Sequence, residues 1–441
     1  MLTKFRIMND ISIKRIDAAI RFFLYVLIFW LPYSSAVVET CVIISLLLWV
    51  VKRFVLCWNQ RQSLSFSKKG FGQVVSLLKP QSSFLNYPIL IFIFFTFMAV
   101  VHSRYLGISQ HAFITKTLEW FVVYFLVIEA FSRKKHLKIA AGVFLFTTFS
   151  TAIDGLFQFY ISGKDIFFGY PAMSGRATAG FPHSNALAAY LLIAVPFSLS
   201  LFLGSHRLWK RMTYFILFFV ISWAFILTFS RGAFFSLFFG FIFFFLCYRP
   251  KFIIWLISIL VIFLCFYDFL PPSVIKTARL DKASLGGALD WRLGLWTDSL
   301  KMIKERPLLG HGLNAYMKLF QKYRRKLKTP KGSFDHMPTY AHNCYIQMWV
   351  EVGLLGLMSF LLIIFILFIK TGRAILRMSR KDRNYRLQLV GLLSGVLAFL
   401  IDSNFDTQFY SLKLSIYFWF VVGIIISVHR LMEKDKNFVR D

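Results

Sequence analysis

Apolar runs long enough to cross a bilayer recur along almost the whole chain, separated by short polar segments rich in Lys and Arg. A helical span needs about 17–25 mostly apolar residues. That rule places spans near 18–33, 36–51, 85–101, 111–130, 139–160, 184–203, 212–230, 232–248, 252–270, 343–369, 388–404 and 409–429. The pattern predicts an all-α polytopic membrane protein with about 12 transmembrane helices. Three parts follow from it: an N-terminal bundle of about nine spans over 1–270, a loop domain over 271–341, and C-terminal spans with a short tail over 342–441.

The long loop has a pattern of its own. Leu293, Trp296, Leu300 and Ile303 recur three and four apart, with Asp290 in position to cap a helix and Pro307 just past its end. A second amphipathic stretch carries Tyr316, Phe320, Tyr323 and Leu327 on one face and Lys318, Lys322 and Arg325 on another. It is expected to lie along the membrane–water boundary.

Composition agrees with the pattern: 58% of the 441 residues are hydrophobic and 16% are charged, with 54 Phe. A soluble chain of this length leaves a polar exterior that these numbers do not provide. The net charge is +31. Most of the basic residues fall in alternate short segments, which places the termini in the cytoplasm by the positive-inside rule. The opposite loops hold Arg104, Lys164, Arg176 and Arg231. Segment 271–341 is the exception, with 14 Lys/Arg against 5 Asp/Glu on the outer side. Long loops escape the bias, so this excess points to anionic ligands. No groove-reading or base-stacking motif accompanies the charge, so no nucleic acid is expected. The five Cys show neither CxxC nor His/Cys spacing, and His311, His336 and His342 match no metal-ligand pattern. No metal and no cofactor is called for.

Three signals fall on the outer side. Ser230-Arg231-Gly232-Ala233 sets an Arg at a turn between spans, where it either snorkels to anchor the turn or faces a wet cavity; a guanidinium fork also suits a phosphate. Arg292 and Trp296 lie four apart on one helix face, with plain packing and solvation as the simpler account. Asn343, Gln347 and Glu351, also four apart, draw a polar stripe down an apolar helix, and such a stripe must face protein or water. His342 stands at its mouth, where an imidazole either has a structural role or takes a proton from a hydroxyl. His183 and Asn185 open a span from the same side and either line the same cavity or cap the helix. Asp402 and Asp406 register as intramembrane or boundary charges, and Cys344 as a poor candidate nucleophile.

The order of these pieces resembles the O-antigen ligase and polymerase superfamily. It runs SRGA, Arg292-x-x-x-Trp296, Glu305-Arg306-Pro307-Leu308-Leu309-Gly310-His311-Gly312-x-x-x-Tyr316, His342-Asn343-x-Tyr345-x-Gln347 and Glu351-x-Gly353-Leu354-Leu355-Gly356. Gly180-Phe181-Pro182-His183-Ser184-Asn185 also looks like a family element, with Ser184 where Pro is common. The resemblance covers roughly 175–410 and leaves the first 150 residues as generic spans.

The resemblance implies a metal-independent, inverting glycosyltransferase of GT-C-like architecture in the bacterial inner membrane, its active site facing the periplasm. The donor would be a glycan on undecaprenyl diphosphate, and the acceptor a sugar hydroxyl of the lipid A core. Arg231 and Arg292 would hold the diphosphate and His342 would activate the acceptor, with Asn343, Trp296, Gln347, Glu351, His183 and Asn185 in support. The single large loop before His342-Asn343 and the chain length favour the ligase branch. A polymerase joining lipid-linked repeat units and a lipid-linked-glycan transporter are the alternatives. A purely structural membrane protein would tolerate loss of Arg231, Arg292 and His342.

Overall fold

The computed structural model describes residues 2–63, 80–173, 175–265, 282–323, 328–329, 332–333, 340–378 and 382–438. Nearly all are helical, as a bilayer demands, because lipid offers no partner to an open backbone N–H or C=O. The helices are α1 (Leu2–Trp30), α2 (Ser35–Ser63), α3 (Asn86–Val101), α4 (Leu106–Ala130), α5 (Lys134–Ser162), α6 (Ser184–Gly204), α7 (Leu208–Ile226) and α8 (Arg231–Tyr248). They continue as α9 (Phe252–Cys265), α10 (Lys282–Glu305), α11 (Tyr316–Tyr323), α12 (Cys344–Arg377), α13 (Arg383–Asp402) and α14 (Leu412–Phe438). Two-residue strands Lys328–Thr329 and Gly332–Ser333 pair antiparallel.

Among the described residues nine helices are long and apolar enough to cross a membrane: α2, α4, α5, α6, α7, α8, α12, α13 and α14. The spans expected at 18–33, 85–101 and 252–270 fall on α1, α3 and α9, with 266–270 outside the described residues. This is an all-α polytopic membrane protein.

The chain packs as two compact units: Met1–Asn86, Glu119–Thr147 and Ile416–Asp441 form one, Tyr87–Leu118 and Thr148–Ser415 the other. The first buries a set of charges. Glu129 accepts from Trp49 Nε1 at 2.6 Å, Lys52 Nζ at 2.8 Å and Arg53, and Lys52 also reaches Asp17 at 2.7 Å. Cations at such depth are tolerated because carboxylates accept from them.

The second unit is built on α13, which packs antiparallel against α6 and α8. Close approach to α6 needs small residues: a Cβ on Gly391 would lie 2.7 Å from Ser200, and one on Gly395 2.5 Å from the Ile193 backbone. The starts of α6, α8 and α12 and the ends of α7 and α13 therefore gather at one end of this unit.

Helix α10 differs from its expected start. Asp290 lies inside it, because Ala283, Leu285, Ala288 and Leu289 extend the helix upstream despite Gly286 and Gly287. Helix α11 does not offer its apolar face to a membrane boundary. Tyr316, Leu319 and Phe320 are buried against Leu295, Met302 and Ile303 of α10, which presents a matching apolar stripe.

Helix α12 is broken at Gly353 (φ 71°, ψ −178°), a backbone region open essentially to glycine alone. The break exposes backbone groups, and the ERPLLGHG loop satisfies them. His311 N donates to Val350 O (2.9 Å) and Gly312 N to Glu351 O (2.8 Å). In return, Pro307 O accepts from Leu354 N (2.8 Å) and Leu308 O from Leu355 N (3.2 Å). That motif is thus a backbone splint for a discontinuous span, and no phosphate cradle is needed to account for its glycines.

Candidate functional site

His342 sits in a strained turn at the mouth of α12, with φ 47° where few residues other than glycine go. Several neighbours pin that turn. Trp296 Nε1 donates to Ala341 O (3.2 Å), Gln347 Oε1 accepts from Ala341 N (3.1 Å), and Asn343 Oδ1 caps α12 through Tyr345 N and Ile346 N (both 3.0 Å). The Trp291 ring stands 4.9 Å from the imidazole. The backbone is held where it would not rest by itself, a feature that clusters at functional sites.

The imidazole has a defined partner. Nδ1 lies 3.1 Å from Asp406 Oδ1, so Nδ1–H donates and Nε2 carries the basic lone pair. Asp406 also accepts from Thr407 N on Oδ1 (2.8 Å) and from Asn185 Nδ2 on Oδ2 (3.2 Å). Burial would push the Asp406 carboxyl up, but the His342 bond and charge, with the Thr407 and Asn185 donors, hold it below the usual carboxylate range. Asn185 Oδ1 in turn accepts from Arg176 NH2 (3.0 Å), whose Nε donates to Thr228 O (2.6 Å). A continuous relay runs from His342 through Asp406 and Asn185 to Arg176.

Arg231 opens α8 beside that relay. A Cβ on Gly232 would sit 2.9 Å from Phe405 Cβ, and the Phe235 and Phe405 rings meet at 5.7 Å. The glycine of SRGA thus lets α8 press onto the segment that carries Asp406. Phe229, two residues before Arg231, also has a left-handed backbone (φ 45°). Arg292 is brought in by α10, whose Trp291 and Trp296 contact the His342 turn on either side of it in sequence; its charge is felt by Asp402 at the end of α13. Asp402 is itself buried and accepts from Gln408 Nε2 at 2.7 Å.

The polar stripe faces protein, as required. Asn343 caps α12, Gln347 holds Ala341 and donates to Glu351 (3.3 Å), and Glu351 accepts from Asn314 N (2.9 Å) and Tyr316 N (3.4 Å) at the start of α11. Lys116 reaches the same corner through Asn314 Oδ1 (3.1 Å). The Tyr410 hydroxyl bonds Glu351; burial and the Glu351 charge push it well above its ordinary value, so it stays a donor. Gln347 and Glu351 therefore tie the Ala341 turn and the start of α11 to α12, one step away from His342. His183 is exposed at the start of α6 and makes no side-chain cap bond. Cys344 is buried, donating to Asp406 O at 3.3 Å, which is a structural role.

Sequence spacing assigned no role to Arg176 and gave Asp406 only as an intramembrane or boundary charge. Lys413, whose ammonium lies 5.5 Å from the Phe181 ring centre, also escaped notice. Asp406 lies 64 residues from His342, and no local period links them. Its position just past the end of an apolar span was the available signal.

These features define a polytopic membrane protein with a hydrogen-bonded His–Asp pair at one end of the second unit's helices. Residues 216–361, about a third of the chain, match the O-antigen ligase family model, a stretch holding Arg231, Arg292, His342 and Glu351. Over that stretch the chain is similar to the O-antigen ligase and polymerase superfamily, whose members are glycosyltransferase-like enzymes. The chain is also 32% identical over 85 residues to an uncharacterized protein of Haemophilus influenzae, which covers 19% of this chain and 21% of the relative.

Proposed function

We propose that this protein is an O-antigen ligase-like glycosyltransferase that moves a glycan en bloc from undecaprenyl diphosphate to a sugar hydroxyl of the lipid A core. Its site faces the periplasm from the bacterial inner membrane. The observation that carries the reading is the His342–Asp406 bond set between the helix that begins at Arg231 and the one that bears Arg292.

The acceptor hydroxyl gives its proton to His342 Nε2 as its oxygen bonds the anomeric carbon. The bond from that carbon to the diphosphate breaks on the opposite face, and undecaprenyl diphosphate leaves with the electron pair, so the anomeric centre inverts. Arg231 and Arg292 meet the negative charge that grows on the leaving oxygen; fixed guanidiniums need no reorganisation at that moment. Asp406 keeps Nδ1 protonated and stabilises the imidazolium. A groove of about 630 Å³ bordered by Leu300, Lys301, Lys304, Pro307 and Trp349 lies on α10 and α12. Its apolar walls and the Lys304 ammonium suit a phosphorylated lipid, while Lys301 pairs with Asp298 at 2.8 Å.

The test supplies purified protein with an undecaprenyl-diphosphate-linked glycan and, separately, lipid A–core or a second lipid-linked repeat. Glycan on the core, lost in His342→Ala at equal expression, is the expected result. Elongated lipid-linked glycan would make the protein a polymerase. Intact donor with both acceptors would sink the transferase reading in favour of transport.

A further inference from the structure

A second cluster of cations lies at the far end of the same helices. Helix α8 runs from Arg231 to Tyr248, 18 residues, or about 27 Å at 1.5 Å per residue. Where it ends, a cavity of about 260 Å³ opens against the start of α13, lined by Cys247, Tyr248, Arg249, Arg383, Arg386, Leu387 and Val390. Three of the lining residues are arginines and none is a carboxylate. Arg386 is fixed, its NH2 donating to Cys247 O at 3.2 Å among the last carbonyls of α8, which uses one of its five N–H donors. The Arg249 guanidinium lies 5.7 Å from the centre of the Tyr248 ring, which stacks on Phe252 of α9. Leu387 and Val390 give the cavity an apolar wall, and Ile254 and Trp255 of α9 are exposed nearby in sequence.

We infer that this cavity binds one anionic glycerophospholipid by its phosphodiester headgroup. The Arg249, Arg383 and Arg386 forks would hold the phosphate while the apolar wall and α9 accept the acyl chains. Like-charged guanidiniums gathered around one cavity repel one another, and an anion relieves that repulsion. A lipid fits better than a soluble anion because the cations stand where apolar helices end, at headgroup level, with an apolar wall directly beneath. The inference does not depend on the transferase reading; the site lies at the opposite end of α8 and α13 from His342.

The experiment is native mass spectrometry of the purified full chain with phosphatidylglycerol, with phosphatidylethanolamine of the same acyl chains, and with glycerol 3-phosphate as a soluble competitor. The expected result is one retained phosphatidylglycerol whose binding weakens about thirtyfold in R249Q/R383Q, at roughly fivefold per arginine at a membrane surface. K135Q/K138Q removes the same charge from the basic first turns of α5 and leaves binding unchanged. Both arginines are exposed, so R249Q/R383Q keeps its elution volume in gel filtration. Equal weakening in K135Q/K138Q would reduce the effect to general surface charge. Equal retention of phosphatidylethanolamine, or displacement by millimolar glycerol 3-phosphate, would also overturn the inference.

Discussion

Replacing Asp406 by Asn tests whether the carboxylate sets the protonation of His342. In the wild type, Oδ1 accepts from His342 Nδ1 (3.1 Å) and Thr407 N (2.8 Å), and Oδ2 accepts from Asn185 Nδ2 (3.2 Å). An amide has one oxygen for these donors. If that oxygen stays on His342 and Thr407, its NH2 meets the NH2 of Asn185. If it turns to Asn185, its NH2 faces Nδ1 and selects the tautomer with the proton on Nε2, which is no longer a base. Either way a hydrogen bond to a charged group is lost, about 1.5–3 kcal/mol, or roughly ten- to a hundredfold in transfer rate. The assay is initial transfer with saturating donor, since the loss falls on the chemical step. The carboxyl is held low, so the stability its ionised form adds is present above the unfolded carboxylate value of about 3.9. That stability is lost as pH falls through the folded value. The Tm gap between wild type and D406N therefore narrows as pH falls below about 4. A D406N enzyme within twofold of wild type at equal expression would refute the assignment.

Other perturbations separate the parts of the site from the parts of the fold. Arg231→Lys and Arg292→Lys keep the charge but lose the two-pronged fork, so transfer should fall at least tenfold with helicity unchanged by circular dichroism; full activity in both would remove the diphosphate role. Gly353→Ala would place a Cβ 2.1 Å from Leu308 O at a φ of 71°. Backbone strain of about 1–3 kcal/mol and the loss of the Pro307 and Leu308 bonds should lower detergent-solubilised Tm sharply; an unchanged Tm would contradict the splint. Glu129→Ala leaves Lys52 and Arg53 without their shared acceptor, at a cost of about 3–5 kcal/mol. Thermal unfolding followed by size-exclusion fluorescence should show it, while transfer by surviving protein stays near wild type.

What the sequence determined by itself was whatever a local period or composition can carry. Twenty-residue apolar runs define helical spans because lipid accepts no open backbone, and the SRGA, Arg292 and His342 motifs single out candidate residues by their types and order. The Asn343–Gln347–Glu351 stripe could be read as facing protein or water from its spacing alone; that it faces protein, with Ala341, Asn314 and Tyr316 as partners, came from the fold. Tertiary structure decided the rest. Asp406 became the partner of His342 only because α13 runs antiparallel to α6 and α8 and delivers the turn after it to the mouth of α12. Arg176 and Asn185 joined the relay for the same reason, and α11 turned its apolar face to α10 because a matching stripe was there to receive it. Such pairings depend on which surfaces meet across many residues of chain, and no period of 3.6 carries that information.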